Sequence, residues 1–124
     1  MKKIFALAIA VVLCFSLVAC SATEKTNFEG TYKNTDTSYA NGNSKIVISN
    51  INGTSSSFTG TAVVTNVYGI NTIHNGTNMA FSGSSTSVTL TASNNNSLYW
   101  TGTFDQNTKT ITPKSSPLTY SYKK

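Results

Sequence analysis

The sequence predicts an all-β protein, an antiparallel up-and-down meander that closes into a small barrel of about eight strands, preceded by a cleaved signal helix. Three observations predict it. From Asn27 onward apolar and polar residues alternate in short Thr- and Val-rich segments, with no helical period of useful length. Asn41-Gly42, Asn52-Gly53 and Asn75-Gly76 punctuate these segments, and Asn-Gly suits the positive φ angles of tight hairpin turns. A pattern of aromatic, polar, glycine, then Thr or Ser recurs four times.

The chain opens Met1-Lys2-Lys3 and then runs from Ile4 to Ala19 without a charge, the basic and apolar regions of a secretory signal. That run is sixteen residues long. A spanning helix needs about 20, so export is expected rather than a permanent transmembrane helix. The run ends Leu17-Val18-Ala19-Cys20, which resembles the lipobox of bacterial lipoproteins. The resemblance implies that the Cys20 thiol receives a diacylglyceryl group, that residues 1–19 are removed as a signal peptide, and that the mature protein sits lipid-anchored on the extracytoplasmic face of a cell membrane. Two acyl chains suffice for stable anchoring, since each buried methylene contributes about 0.8 kcal/mol. Cys14 leaves with the signal, so the mature chain is expected to have no disulfide and no cysteine metal ligand.

Residues 20–26 read as a lipidated tether and residues 27–124 as one β-barrel domain. Removing residues 1–19 from the 124 leaves 105, enough for a single core without disulfides. Seven lysines then oppose Glu24, Glu29, Asp36 and Asp105, a net charge of +3. Lys25, Lys33, Lys45, Lys109, Lys114, Lys123 and Lys124 are scattered along the chain and read as solvated surface lysines, although acidic wall polymers or anionic head groups would be attracted to them. The chain has no arginine, and so lacks the bidentate fork that reads guanine and clamps phosphate. Nucleic acid is not an expected partner. Ser, Thr, Asn and Gly are abundant, but eleven aromatic residues spread from Phe28 to Tyr122 argue for a packed domain over a disordered stalk.

The expected strands run Asn27 to Lys33, Lys45 to Ile51, Ser56 to Val67, Ile70 to His74, Thr77 to Ser82, Ser87 to Ala92, Ser97 to Phe104, Lys109 to Thr112 and Leu118 to Tyr122, some of them merging. Ser93 to Asn96 and Asp105 to Asn107 read as slightly longer turns. Short connections join neighbouring strands antiparallel, hence a meander.

The four repeats are Phe28-Glu29-Gly30-Thr31, Phe58-Thr59-Gly60-Thr61, Phe81-Ser82-Gly83-Ser84 and Trp100-Thr101-Gly102-Thr103. Alternation places the aromatic, the glycine and the residue two further on upon one face. A glycine there predicts a sharp bend or a close approach between strands, as in a small closed barrel. The inward set is expected to include Phe28, Tyr32, Ile46, Ile48, Phe58, Ala62, Val64, Phe81, Val88, Leu90, Leu98, Trp100, Phe104, Leu118, Tyr120 and Tyr122. Closure would also remove exposed edges. This rhythm of aromatic-x-Gly-Thr strands resembles the calycin group, the lipocalins and avidins. The resemblance implies a fold and no ligand, because Gly30-Thr31-Tyr32 replaces the lipocalin Gly-x-Trp and Trp100 is the lone tryptophan where avidins use several.

Catalytic chemistry is not legible. His74 is the single histidine and reads as a turn residue beside Asn75-Gly76. Neither a zinc site nor a cysteine nucleophile with a histidine partner can be assembled from one histidine and a lipidated thiol. Glu29 is expected on the polar face of the first strand and Asp105 at a turn, too far apart in a meander for paired-carboxylate chemistry. No catalytic residue, metal ligand or cofactor is assigned, and Cys20, through lipidation, is the one residue given a chemical role. Two functions remain open for a monomeric surface module. One is binding of a small hydrophobic molecule, glycan or peptide. The other is a structural or protein-interaction role, such as an assembly factor or inhibitor, with a filled barrel. An eight-stranded barrel can be either filled or hollow, so interior volume discriminates them.

Overall fold

The computed structural model describes residues 27–68, 72–92, 98–114 and 120–124. The signal segment, Cys20, the tether, Ile70, the turn from Ser93 to Asn96 and Leu118 lie outside them. The strands in chain order are β1 (Gly30–Asn34), β2 (Lys45–Thr54), β3 (Ser57–Thr65), β4 (Val67–Tyr68), β5 (Ile73–His74), β6 (Thr77–Gly83), β7 (Ser87–Ala92), β8 (Tyr99–Asp105), β9 (Thr110–Pro113) and β10 (Tyr122–Lys123). Eight of them close a barrel in the order β1-β2-β3-β6-β7-β8-β9-β10, with β10 returning to β1, and every pairing is antiparallel. The meander is therefore up-and-down throughout, an architecture compatible with the calycin barrels. β4 and β5 form a separate ribbon between β3 and β6.

This topology gives the barrel two unlike ends. The connections β2–β3, β6–β7 and β8–β9 lie at the near end, together with Asn27, Phe28 and the C-terminal Lys124. The β1–β2 connection and the β4–β5 ribbon lie at the far end. The near end is plugged by aromatic rings. Phe28 is fully buried, with its ring centroid 4.2 Å from that of Phe58 and 4.5 Å from that of Phe104, while Phe58 lies 5.6 Å from Phe81. Three of the four repeat aromatics thus meet in one cluster. The fourth, Trp100, packs edge-to-face on Tyr122 at 5.7 Å.

The inward set holds at each described position except Tyr120, which is half-buried. Ile51, Val67, Met79 and Ile111 join it. The repeat glycines mark close backbone approaches. A methyl group at Gly102 would lie 2.6 Å from the Thr112 carbonyl oxygen, and one at Gly83 would collide with the Ser87 carbonyl oxygen.

Several expected elements shift, each for a physical reason. Asn27 and Phe28 are helical, not extended, which carries the Phe28 ring across the barrel mouth. The Tyr32 hydroxyl donates to the Phe28 carbonyl at 2.9 Å, satisfying an acceptor that a helix end leaves open. The strand expected over Ser56 to Val67 breaks at Asn66, whose φ is +51°, and Ile73–His74 pairs in the ribbon outside the barrel. Asn52-Gly53 lies inside β2 opposite Thr59 and Phe58, and the chain reverses instead at Ser55 and Ser56. Asn41-Gly42 ends a 3-10 turn at Tyr39–Gly42. Asn75-Gly76 returns the chain from the ribbon to β6, with the Gly76 amide donating to the Val64 carbonyl at 2.8 Å. Tolerance of positive φ serves bends and loop reversals as readily as hairpin turns, so the dipeptide alone did not fix its use.

A β-bulge explains the end of β2. Between Ser49↔Thr61 and Asn52↔Thr59, Asn50 and Ile51 face Gly60 alone. Asn50 takes φ +56° and stays exposed while Ile51 turns inward, so the extra residue restores the apolar face. Gly60 has no side chain where Ile51 Cδ1 and the Ser49 carbonyl would otherwise be 2.6 and 3.1 Å from a methyl group.

Candidate functional site

A site could lie in the barrel interior or on its wall. Inside, towards the far end, Ile46, Val64, Val67, Met79, Leu90, Leu98 and Trp100 surround an apolar cavity of about 10 Å³, room for one water at most. Next to Trp100, the buried Tyr122 hydroxyl and Ser44 Oγ are hydrogen-bonded at 2.8 Å. Burial pushes the Tyr122 hydroxyl above its ordinary range, and the contact with Ser44 opposes that shift. Asn34 is buried there too. Its Oδ1 accepts from the Asp36 amide at 2.8 Å, while its Nδ2, like the indole Nε1 of Trp100, has no hydrogen-bond partner among the described residues. These groups rigidify the rim beside that small cavity.

The wall is different. On the outer face of β10, β1 and β2 three lysines stand in register: Lys33 opposes Lys123 on one side and Lys45 on the other. All three are exposed. The row continues to Thr65 on β3, which opposes Lys45. Beside it the β1–β2 connection overhangs the wall and leaves a groove of about 430 Å³, lined by Lys33, Gly42, Asn43, Lys45, Thr65 and Asn66. Cations, amides, a hydroxyl and backbone line it, with no aromatic side chain.

Strand parity could have placed these lysines on the outer face, since each neighbours an inward residue: Tyr32, Ile46 and Tyr122. Their alignment depends on register across three strands drawn from opposite ends of the chain. The sequence carries no signal for that register.

The residues weighed for chemistry are dispersed. Cys20 and Glu24 lie outside the described residues. Glu29 precedes β1 and does not sit on its polar face; its Oε1 accepts from the Ile51 amide at 3.0 Å, tying the N-terminal segment to the bulge. Asp36 accepts from the Ser38 amide and hydroxyl at 2.9 and 2.6 Å in the β1–β2 connection. Asp105 opens a turn as expected, accepting from the Asn107 and Thr108 amides, and these hydrogen bonds hold its carboxyl below the usual range. His74 is in the ribbon, paired with Val67. Among the described residues no three His, Cys, Asp or Glu side chains are grouped to hold a metal ion, and no helix is long and apolar enough to cross a membrane.

At the near end Lys109 Nζ donates to Asn27 Oδ1 at 2.9 Å and lies 6.0 Å from the Phe104 ring centroid. Partial burial and the charge of Lys109 lower the pKa of Lys124, against an opposing pull from Glu29. These contacts hold Asn27 and Lys124 at the near end and leave the far-end groove as the candidate site. No family model, curated protein or solved structure matches this chain.

Proposed function

We propose that the protein is a membrane-anchored extracytoplasmic lipoprotein of structural or interaction type, a calycin-like barrel that acts by contact through its outer wall and not by carrying a small molecule inside. The close packing of the described core, with Phe28, Tyr32, Ile46 and Leu90 wholly buried, carries this reading. Small-molecule pockets run from roughly 300 to 1,000 Å³, against about 10 Å³ for the cavity between Ile46, Val64, Met79, Leu90 and Trp100. The anchor rests on Met1-Lys2-Lys3, the uncharged run and Leu17-Val18-Ala19-Cys20. Asn27 lies at the plugged end, so an anchor on Cys20 would tether that end and leave the groove at the opposite one.

Two experiments test the reading. Cys20→Ala should abolish incorporation of labelled fatty acid and release the protein from the membrane fraction; continued labelling and retention would refute the anchor. Native mass spectrometry of the protein purified from its own host should find no retained small apolar molecule, and titration with a fluorescent fatty acid should show no saturable binding. One-to-one binding that quenches Trp100 would replace the filled scaffold with a carrier.

A further inference from the structure

We propose that the groove and its lysine row bind a linear polyanion with a hydroxyl-rich backbone and one negative charge per repeat, an acidic glycan or polyol-phosphate polymer. The inference rests on the outer-wall reading above and names the surface and its ligand chemistry.

Like charges directly opposite in an antiparallel pair are destabilising, and Lys33 faces one on each side. No described carboxylate pairs across the strands with the row: Glu29 is engaged at the bulge, Asp105 in its turn and Asp36 with Ser38 in the β1–β2 connection. A surface that holds three cations against their own repulsion is matched by a ligand that neutralises them. Neighbouring strands lie about 4.8 Å apart, so the three Cα positions span roughly 10 Å, a spacing suited to successive charges along a chain more than to one compact anion. Lysine serves such sites as a point charge and does not demand the bidentate geometry of arginine.

The groove supplies the second half of the recognition. Asn43, Thr65 and Asn66 offer neutral donors and acceptors beside Lys33 and Lys45, the groups that hydroxyls between the charges would use. A protein partner would be expected to seat aromatic or apolar anchors at the centre of its interface, and the groove lining has neither. The opening is at the far end, away from Asn27, which suits a polymer approaching from outside more than the head groups of the anchoring membrane.

The test uses the protein as purified from its host, titrated with poly(glycerol phosphate), with polygalacturonate, with vesicles of phosphatidylglycerol and phosphatidylcholine, and with oligothymidylate. Saturable binding to at least one of the two hydroxyl-rich polymers is expected. The affinity should fall with salt at a log–log slope of roughly −2, from three contacts at about 0.7 each. The triple variant K33Q/K45Q/K123Q should bind at least 10-fold more weakly while unfolding at the same or a higher temperature, and K114Q, outside the row, should bind within 2-fold of the parent. Equal losses in K114Q and the triple variant, or full binding by the triple variant, would overturn the proposal. Binding to vesicles but to neither polymer would assign the row to a lipid surface, and equal affinity for oligothymidylate would reduce it to unselective charge attraction. A fatty acid found inside the barrel would remove the filled-scaffold reading without touching this titration, so the two can fail separately.

Discussion

Glu29 hydrogen-bonds the Ile51 amide because the bulge takes that N–H out of the regular ladder. Ile51 is buried, and a buried donor left without a partner costs about 1–3 kcal/mol. Glu29→Ala should therefore lower stability by about that amount in urea denaturation, and Glu29→Gln, which keeps an acceptor, by less than half as much. Equal losses would mean that charge rather than the hydrogen bond matters. Gly83 makes a second residue-scale case. A methyl group there would strike the Ser87 carbonyl and lie 2.9 Å from Val88 Cα, backbone that cannot rotate aside, so Gly83→Ala should destabilise by about 2–3 kcal/mol, as overpacking does. At Gly76 nothing lies within 4 Å of the added carbon, and only its φ of +71° resists substitution; Gly76→Ala should cost about 1 kcal/mol. The glycine was legible in the sequence because the repeat placed it between inward residues, as at Phe58-Thr59-Gly60. The role of Glu29 was not, because it arises only after the bulge has changed which residue faces inward.

At the scale of elements, the strand pattern was readable wherever side chains alternate without interruption, as in β3, β7 and β8, and failed where one residue of positive φ intervenes. Asn66 splits an expected single strand, and Asn50 lets β2 run through Asn52-Gly53 to a turn made by two serines. Positive φ at Asn has no marker in a chain so rich in Asn. The shortest strand of the barrel is β10, which closes it through Lys33↔Lys123 and Asn34↔Tyr122 on one side and Ile111 and Thr110 on the other. Tyr122 is its one buried side chain, joined to Trp100 by an edge-to-face contact and to Ser44 by a hydrogen bond. Truncating a large buried ring costs about 3–5 kcal/mol, and Tyr122→Ala should do so. Amide exchange should then rise first in β1 and β9, the strands left with an open edge. Uniform loss of protection across β3, β6 and β7 as well would show that closure is not locally held by β10.

For the molecule as a whole, two buried tyrosines set a limit on the alkaline side. Burial alone pushes the Tyr32 hydroxyl well above the usual tyrosine range, and burial is also the largest influence on Tyr122, which shifts the same way. In the unfolded chain both ionise near pH 10, whereas the folded barrel holds both neutral. Their contribution to stability is therefore fully present below about pH 10 and is lost as pH rises above it, because the unfolded state releases protons that the native state keeps. Each tyrosine steepens the fall by up to about 1.4 kcal/mol per pH unit. Tyr32→Phe removes one of the two at the expense of its hydrogen bond to the Phe28 carbonyl, so it should be less stable than the parent at pH 8 by about 1 kcal/mol yet lose stability more slowly above pH 10. The two curves should converge by pH 11. Lysine neutralisation acts on both proteins alike, so the difference between their urea midpoints isolates the tyrosine. Parallel curves from pH 8 to 11 would mean that the Tyr32 hydroxyl reaches water in the folded state, and that the Phe28 cluster does not seal the near end of the barrel.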